Sequence, residues 1–234
     1  MAKSRVQPNR RQNFLRLIGV VAVVGGIVLV YIANRPRADI KVVDSTIPAG
    51  AAQGYLLGDS MAPVQVLEFA DFECPACGQF ATVTEPDVRD RLVKTGKISF
   101  RFYDYPLPMH QNTWSASNAA ACANDQGKFW EMHDAIFLRQ NDWNGIATSS
   151  PKKVLKEIAG QVGLDVAAWE SCFDSQKHYS RIRANQLEAE RRGVGQTPTF
   201  IVGGKMIPGA VSFDELQKYV AEATPAAAPA TKAP

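Results

Sequence analysis

Cys74 and Cys77 stand with two residues between them in Asp71-Phe72-Glu73-Cys74-Pro75-Ala76-Cys77. A CxxC pair can contribute half of a zinc site, bind copper, attach haem, or cycle between dithiol and disulfide. Haem attachment of the c type needs histidine after the second cysteine, where this chain has Gly78. Zinc needs two more ligands at short spacing. Cys122 and Cys172 are isolated from each other, and His110, His133 and His178 are scattered without ligand spacing, reading as surface or packing histidines. The redox reading has positive support. Pro75 suits the first turn of a helix, where its missing N–H costs nothing. Cys74 then faces unpaired backbone N–H groups at the positive end of the helix, which favours its thiolate, the nucleophile of disulfide exchange. Cys77, one turn on, faces inward and reads as the resolving thiol. The inner pair Pro75-Ala76 adds no charge, so it points to an oxidant but does not set its strength.

Two further features belong with this pair. Glu68 lies six residues before Cys74 on an apolar strand. Pointing inward, it sits beneath Cys77 with a raised pKa and exchanges protons with the buried thiol; pointing outward, it is an ordinary strand carboxylate. Pro198 opens an apolar strand in Gly193-Val194-Gly195-Gln196-Thr197-Pro198-Thr199-Phe200. A trans proline is common at a strand entrance, but the Gly-rich approach together with the CxxC favours a cis peptide. Thr197 then offers its backbone to an extended substrate.

The elements that must hold these groups follow from pattern. Val64 to Phe69 reads as a strand buried on both faces, followed by the CxxC helix to about Val93 with a kink or break at Pro86. Ile98 to Tyr103 is a second strand, residues 112–192 are a helical block, and Thr199–Val202 pairs with Lys205–Ile207 across Gly203-Gly204. Phe213 to Ala223 closes as an amphipathic helix with Ser212 as N-cap. With right-handed crossovers this order gives an α/β fold, a mixed sheet flanked by helices, with the helical block inserted.

Charge and hydropathy place that domain. The 234 residues carry 26 Lys and Arg against 23 Asp and Glu, a net +3. Seven of the 26 basic residues and one acid lie in residues 1–40, leaving 19 basic against 22 acidic residues in the rest. That remainder is net acidic and has no basic block, which speaks against nucleic-acid binding. Leu17 to Ala33 has no charged side chain and, extended to Phe14, is long enough for one transmembrane helix. Five cations precede it and two follow, predicting the N-terminus inside and the domain outside the cytoplasmic membrane. A cleaved signal would have a shorter apolar core and a small-x-small site, so a retained anchor is the expectation. The expected organisation is a basic cytoplasmic N-terminus (1–13), a signal anchor (14–33), a linker (34–58), the catalytic domain (59–222) and an Ala/Pro tail (223–234).

Three stretches, VLEFADFECPACGQF (66–80), YPLPMHQNTWSASNAAACANDQGKFWEMHDAIF (105–137) and GVGQTPTFIVGG (193–204), resemble the DsbA-like thiol:disulfide oxidoreductases of the thioredoxin superfamily. The resemblance implies a thioredoxin fold with an inserted helical domain, catalysis by Cys74 and Cys77, a buried acid at Glu68, and a cis peptide at Thr197–Pro198. It places Thr197, Pro198, Pro75 and Ala76 at the substrate. It also implies an exported, often anchored enzyme that needs no cofactor beyond its redox-active disulfide. Such an enzyme acts on cysteines of exported proteins and is reoxidised by a membrane protein of the DsbB or vitamin K epoxide reductase-like type. Pro-Ala replaces the Pro-His of the founding enzyme, which weakens the case for a very strong oxidant. Outside the cytoplasm, Cys122 and Cys172 are expected to bridge each other; two buried free thiols are the alternative. The reading is a dithiol oxidase. A reductase or isomerase of the same fold and a copper or zinc carrier are the alternatives.

Overall fold

The apolar run at residue 64 is the central strand of a mixed sheet. The computed structural model describes residues 52–225, residues 41–42 and, near the N-terminus, residues 14, 16, 18–20 and 23–26. The strands are β1 (Lys41–Val42), β2 (Tyr55–Leu57), β3 (Val64–Ala70), β4 (Ile98–Asp104), β5 (Thr199–Val202) and β6 (Lys205–Pro208). Their order across the sheet is β1-β6-β5-β3-β4-β2. Only β3 and β4 run parallel, as the crossover between them requires; the other pairs are antiparallel.

Strand β3 alternates between two buried faces, so nearly every position is apolar. Leu67 and Phe69 pack with Tyr103, Ile201 and Met206 on one side. Val66 packs with Phe80, Phe100 and Phe200 on the other. Glu68 pairs in register with Phe102 and Phe200 and shares their face of the sheet. Burying each large apolar side chain there stabilises the fold by about 1.5–3 kcal/mol.

The helical stretch after β3 comprises α1 (Pro75–Gln79), a π-helical turn at Phe80–Thr84, α2 (Glu85–Val88) and a second π-helical turn at Arg89–Val93. The break expected at Pro86 is instead a change of hydrogen-bond register. The π turn ends just before the proline, so the chain turns on without the N–H that proline lacks. The inserted block holds α3 (Thr113–Asn124), α4 (Phe129–Leu138), α5 (Gln140–Trp143), α6 (Lys152–Gln161), α7 (Val166–Asp174) and α8 (Tyr179–Arg191). The last helix, α9 (Phe213–Ala223), begins at Ser212 with a reciprocal capping box to Glu215.

The domain starts earlier than the expected boundary at 59. Tyr55–Leu57, assigned to the linker, is a sheet strand, and the Tyr55 ring stacks on Phe129 at 3.5 Å. Three residues between glycines are too short for periodicity to register; pairing with β4 and the stacked ring make them a strand. Lys41–Val42, also within the linker, pairs with β6. The basic segment 1–13, most of the anchor at 14–33, residues 34–40 and 43–51 of the linker, and the tail from 226 lie outside the described residues. Those described within the anchor are helical, and among the described residues no helix is long and apolar enough to cross a membrane.

Candidate active site

Strand β3 delivers the chain to a turn in which Cys74 N donates to Asp71 O at 3.0 Å. Asp71 is fully buried, and its carboxylate accepts from Glu73 N at 2.7 Å and Leu107 N at 2.7 Å, with His110 Nδ1 at 2.8 Å. That contact raises the His110 pKa above the ordinary imidazole value. Glu73, also buried, accepts from Asn112 N at 2.6 Å and from Gly145 N. Gln140 Nε2 donates to the carbonyls of Phe72 at 2.8 Å and Cys74 at 2.9 Å. Helices α3 and α5 of the insertion thus clamp the CxxC turn from outside the sheet. Sequence pattern gave no role to Asp71, Glu73 or Gln140 and read His110 as a surface or packing residue. Two acids within three residues before a CxxC were the available signal; Gln140, 66 residues from Cys74, had none.

Cys74 is the N-cap of α1, with extended backbone (φ −71°, ψ 122°) and Pro75 next. Its Sγ lies 3.4 Å from the carbonyl oxygen of Thr197, and the Thr197–Pro198 peptide is cis. The Cys74 pKa falls from 9.0 to about 5. The largest cause is a hydrogen bond from the Cys77 thiol. Burial opposes the fall, while the Thr197 side chain and the backbone N–H groups of Cys77 and Ala76 assist it. At pH 7 the thiolate therefore outnumbers the thiol about a hundredfold. Cys77 is the opposite case: with no exposed surface, its thiol is pushed well up, first by burial and then by its role as donor to Cys74. The two sulfurs are a stabilised nucleophile and a buried thiol that resists ionisation. Pro75 is exposed and Ala76 half-buried on the outer side of the pair.

Glu68 points inward, 1% exposed, and burial followed by the charge of Glu85 raises its pKa well above the carboxylate range. Its charge in turn raises Cys77. Cys74, Cys77, Glu68, Thr197 and Pro198 are thus brought together. Cys122 and Cys172 lie apart from them, joined in a disulfide between α3 and α7 with Cα atoms 5.8 Å apart.

Two other side-chain clusters have the look of cation sites. One uses Cys122, Cys172 and His178, but its sulfurs are spent in the disulfide. The other, Glu85, His133 and Asp134, already holds the Arg89 guanidinium, 2.6 Å from both carboxylates. Among the described residues no such cluster includes Cys74 or Cys77.

A family described as Thioredoxin (Thioredoxin_4) matches residues 51–222. The chain belongs to the thioredoxin family. Alpha-DsbA1 of Wolbachia pipientis has the same fold, with a TM-score of 0.66 and 22% identity over 73% of this chain and 90% of that one. The probable disulfide bond formation protein D of Bacillus anthracis is 27% identical over 70% of this chain and 75% of its own length. The Na(+)/H(+) antiporter NhaA 3 of Salinispora tropica is 32% identical over 82% of this chain, and the chain spans 28% of that protein's length. The thioredoxin-family match covers strands β2 to β6, the CxxC turn, the insertion and the cis-proline loop together.

Proposed function

We propose that this chain is an extracytoplasmic thiol:disulfide oxidoreductase that exchanges its Cys74–Cys77 disulfide with cysteines of exported proteins, acting as a dithiol oxidase. The observation that carries this reading is geometric: Cys74 caps α1 with its Sγ 3.4 Å from the Thr197 carbonyl, while Cys77 is fully buried one helical turn on, an arrangement that lowers the first thiol's pKa and raises the second's. A substrate thiolate attacks Cys74 of the disulfide, and Cys77 leaves into a buried site where Glu68 meets it with a proton. A second substrate thiolate then attacks the mixed disulfide, and Cys74 departs as its stabilised thiolate. Stabilising the reduced form makes the disulfide the more willing electron acceptor. A Cys74 pKa of about 5 falls between those of about 7 for thioredoxin and about 3.5 for DsbA, consistent with an oxidant of intermediate strength.

Thr197, with its carbonyl beside Cys74, and the neighbouring Pro198, Pro75 and Ala76 form the surface that meets the substrate chain. The disulfide at Cys122–Cys172 supports an oxidising compartment, and the apolar run at 14–33 supports a single-pass anchor with the domain outside. Reoxidation falls to a membrane protein of the DsbB or vitamin K epoxide reductase-like type. The copper or zinc carrier is the alternative of another class, and tight metal binding that survives loss of Glu68 and Pro198, with no disulfide exchange, would favour it.

Equilibration with glutathione buffers, combined with oxidation of a reduced, unfolded substrate protein, tests the direction. The expected potential is above about −200 mV, with substrate oxidised stoichiometrically. A value near about −270 mV with no substrate oxidation assigns the chain to the reductases instead. Cys77→Ser should trap mixed disulfides through Cys74; trapping by Cys74→Ser instead reverses the two roles.

A further inference from the structure

Cys77 and Glu68 have almost no exposed surface, yet each exchange cycle must bring a proton to Cys77 and later remove it. The polar groups around them mark one way out. Glu85, fully buried at the start of α2, has the largest charge effect on Glu68, and Arg89 one turn on grips its Oε1 at 2.6 Å. Glu85 Oε2 lies 3.9 Å from His133 Nε2 on α4. The other imidazole nitrogen, Nδ1, is 2.8 Å from Asp134 Oδ1 and 3.4 Å from Arg89. Phe72, Phe102, Trp130 and Phe137 surround the ring with centroids 4.9–5.7 Å away, so its polar contacts are limited to this cluster. Asp134 is half-exposed, and with Arg89 it lines a cleft of about 510 Å³ open to solvent. Three buried polar atoms, Glu68 Oε2, Glu85 Oε2 and His133 Nε2, have no hydrogen-bond partner in the protein. The Glu68 charge acts on Cys77, that of Glu85 acts on Glu68, and Glu85 Oε2 faces His133 Nε2, beside Asp134 at the cleft.

We propose that Glu85, His133 and Asp134 form a proton path between the buried Cys77–Glu68 pair and solvent, with Arg89 as the residue that positions them. This rests on the disulfide-exchange reading above. When a substrate thiolate attacks Cys74, the Cys74–Cys77 bond breaks, a Cys74–substrate disulfide forms, and the electron pair leaves on Cys77 Sγ. The Glu68 carboxyl gives its proton to that sulfur. Glu68 is reprotonated through Glu85 from His133 Nε2, and His133 recovers a proton at Nδ1 from the Asp134 mouth. Reoxidation of the dithiol sends one proton back along the same groups.

The test is stopped-flow mixing of the oxidised full chain with a reduced cysteine peptide, from pH 5.5 to 8.5, in H₂O and D₂O. His133→Phe, which keeps the aromatic packing, and Glu85→Gln should each slow mixed-disulfide formation at pH 8 at least about tenfold, less than the roughly hundredfold or more that a proton donor in direct contact supplies. The slowing should ease toward pH 5.5, and alkylation of reduced Cys74 should keep its wild-type rate. Asp134→Asn, at a half-exposed position, should show the same pH-dependent slowing and decides the matter if the buried variants do not fold. Wild-type rates and isotope effects across the pH range in Asp134→Asn and any folded partner variant overturn the path while leaving the exchange reading intact. A wild-type protein that forms no mixed disulfide overturns both.

Discussion

Removing one hydrogen from the site tests the electrostatic argument directly. The largest contributor to the low Cys74 pKa is the thiol of Cys77, and Cys77→Ala deletes that donor without adding bulk. A hydrogen bond to a charged group contributes about 1.5–3 kcal/mol, and one pKa unit corresponds to about 1.4 kcal/mol. Cys74 should therefore titrate about one to two units higher, near pH 6–7 in place of about 5. Cys77→Ser keeps a donor at the same position and should stay close to 5. The thiolate absorbs near 240 nm, so a pH titration of each reduced variant reads the midpoint, and iodoacetamide alkylation reads it independently. At pH 5.5 the thiolate fraction in Cys77→Ala should fall about three- to twenty-five-fold, and the alkylation rate with it. A Cys74 midpoint still near 5 in Cys77→Ala would refute the argument and assign the stabilisation to the Thr197 side chain and the helix N-terminus. Equal shifts in the Ala and Ser variants would mean that packing, not hydrogen bonding, sets the value.

The same shift links pH to the stability of the reduced protein. Because the folded-state pKa of Cys74 is depressed, its contribution is fully present above the unfolded thiol value of about 8.5 and is lost as pH falls through about 5. Urea unfolding of the reduced form should lose about 2–3 kcal/mol from this group between pH 7 and pH 4.5, while the oxidised form, with no free Cys74, lacks that component; equal losses in both forms would count against it. The Cys122–Cys172 bridge closes a loop with a sequence separation of 50, so the double change to alanine should destabilise the fold by about 2–4 kcal/mol. Exchange through Cys74 should persist in that variant, and a loss below about 1 kcal/mol by denaturant melts would mean that packing of α3 on α7 suffices alone.

Much of the site was legible before any coordinates. The CxxC motif, the proline after its first cysteine, Glu68 on an apolar strand and Thr197-Pro198 at a strand entrance are all local signals, and local chemistry dictates what each residue can do. Strand β5 and helix α9 were legible for the same reason, since alternation, a Gly-Gly turn and a capping serine lie within a few residues of one another. Strand β2 escaped because three residues hold no period, and the π-helical turns escaped because side-chain pattern does not encode which carbonyl an N–H chooses.

Residue types and spacing alone put a reactive cysteine at a helix N-terminus and an acid on the apolar strand before it, with the acid's direction left open. Only the tertiary structure decided how far those groups shift one another. The Cys74 pKa depends on Thr197, 123 residues away, and Glu68 depends on Glu85 across the gap between sheet and helix. His133, read from sequence as a packing or surface residue, lies in an aromatic cage with its two nitrogens facing Glu85 and Asp134. Hydrogen bonding and Coulomb energy fall with distance through space, not along the chain. Residue types therefore announce the chemistry, while packing sets its strength and the route its protons take.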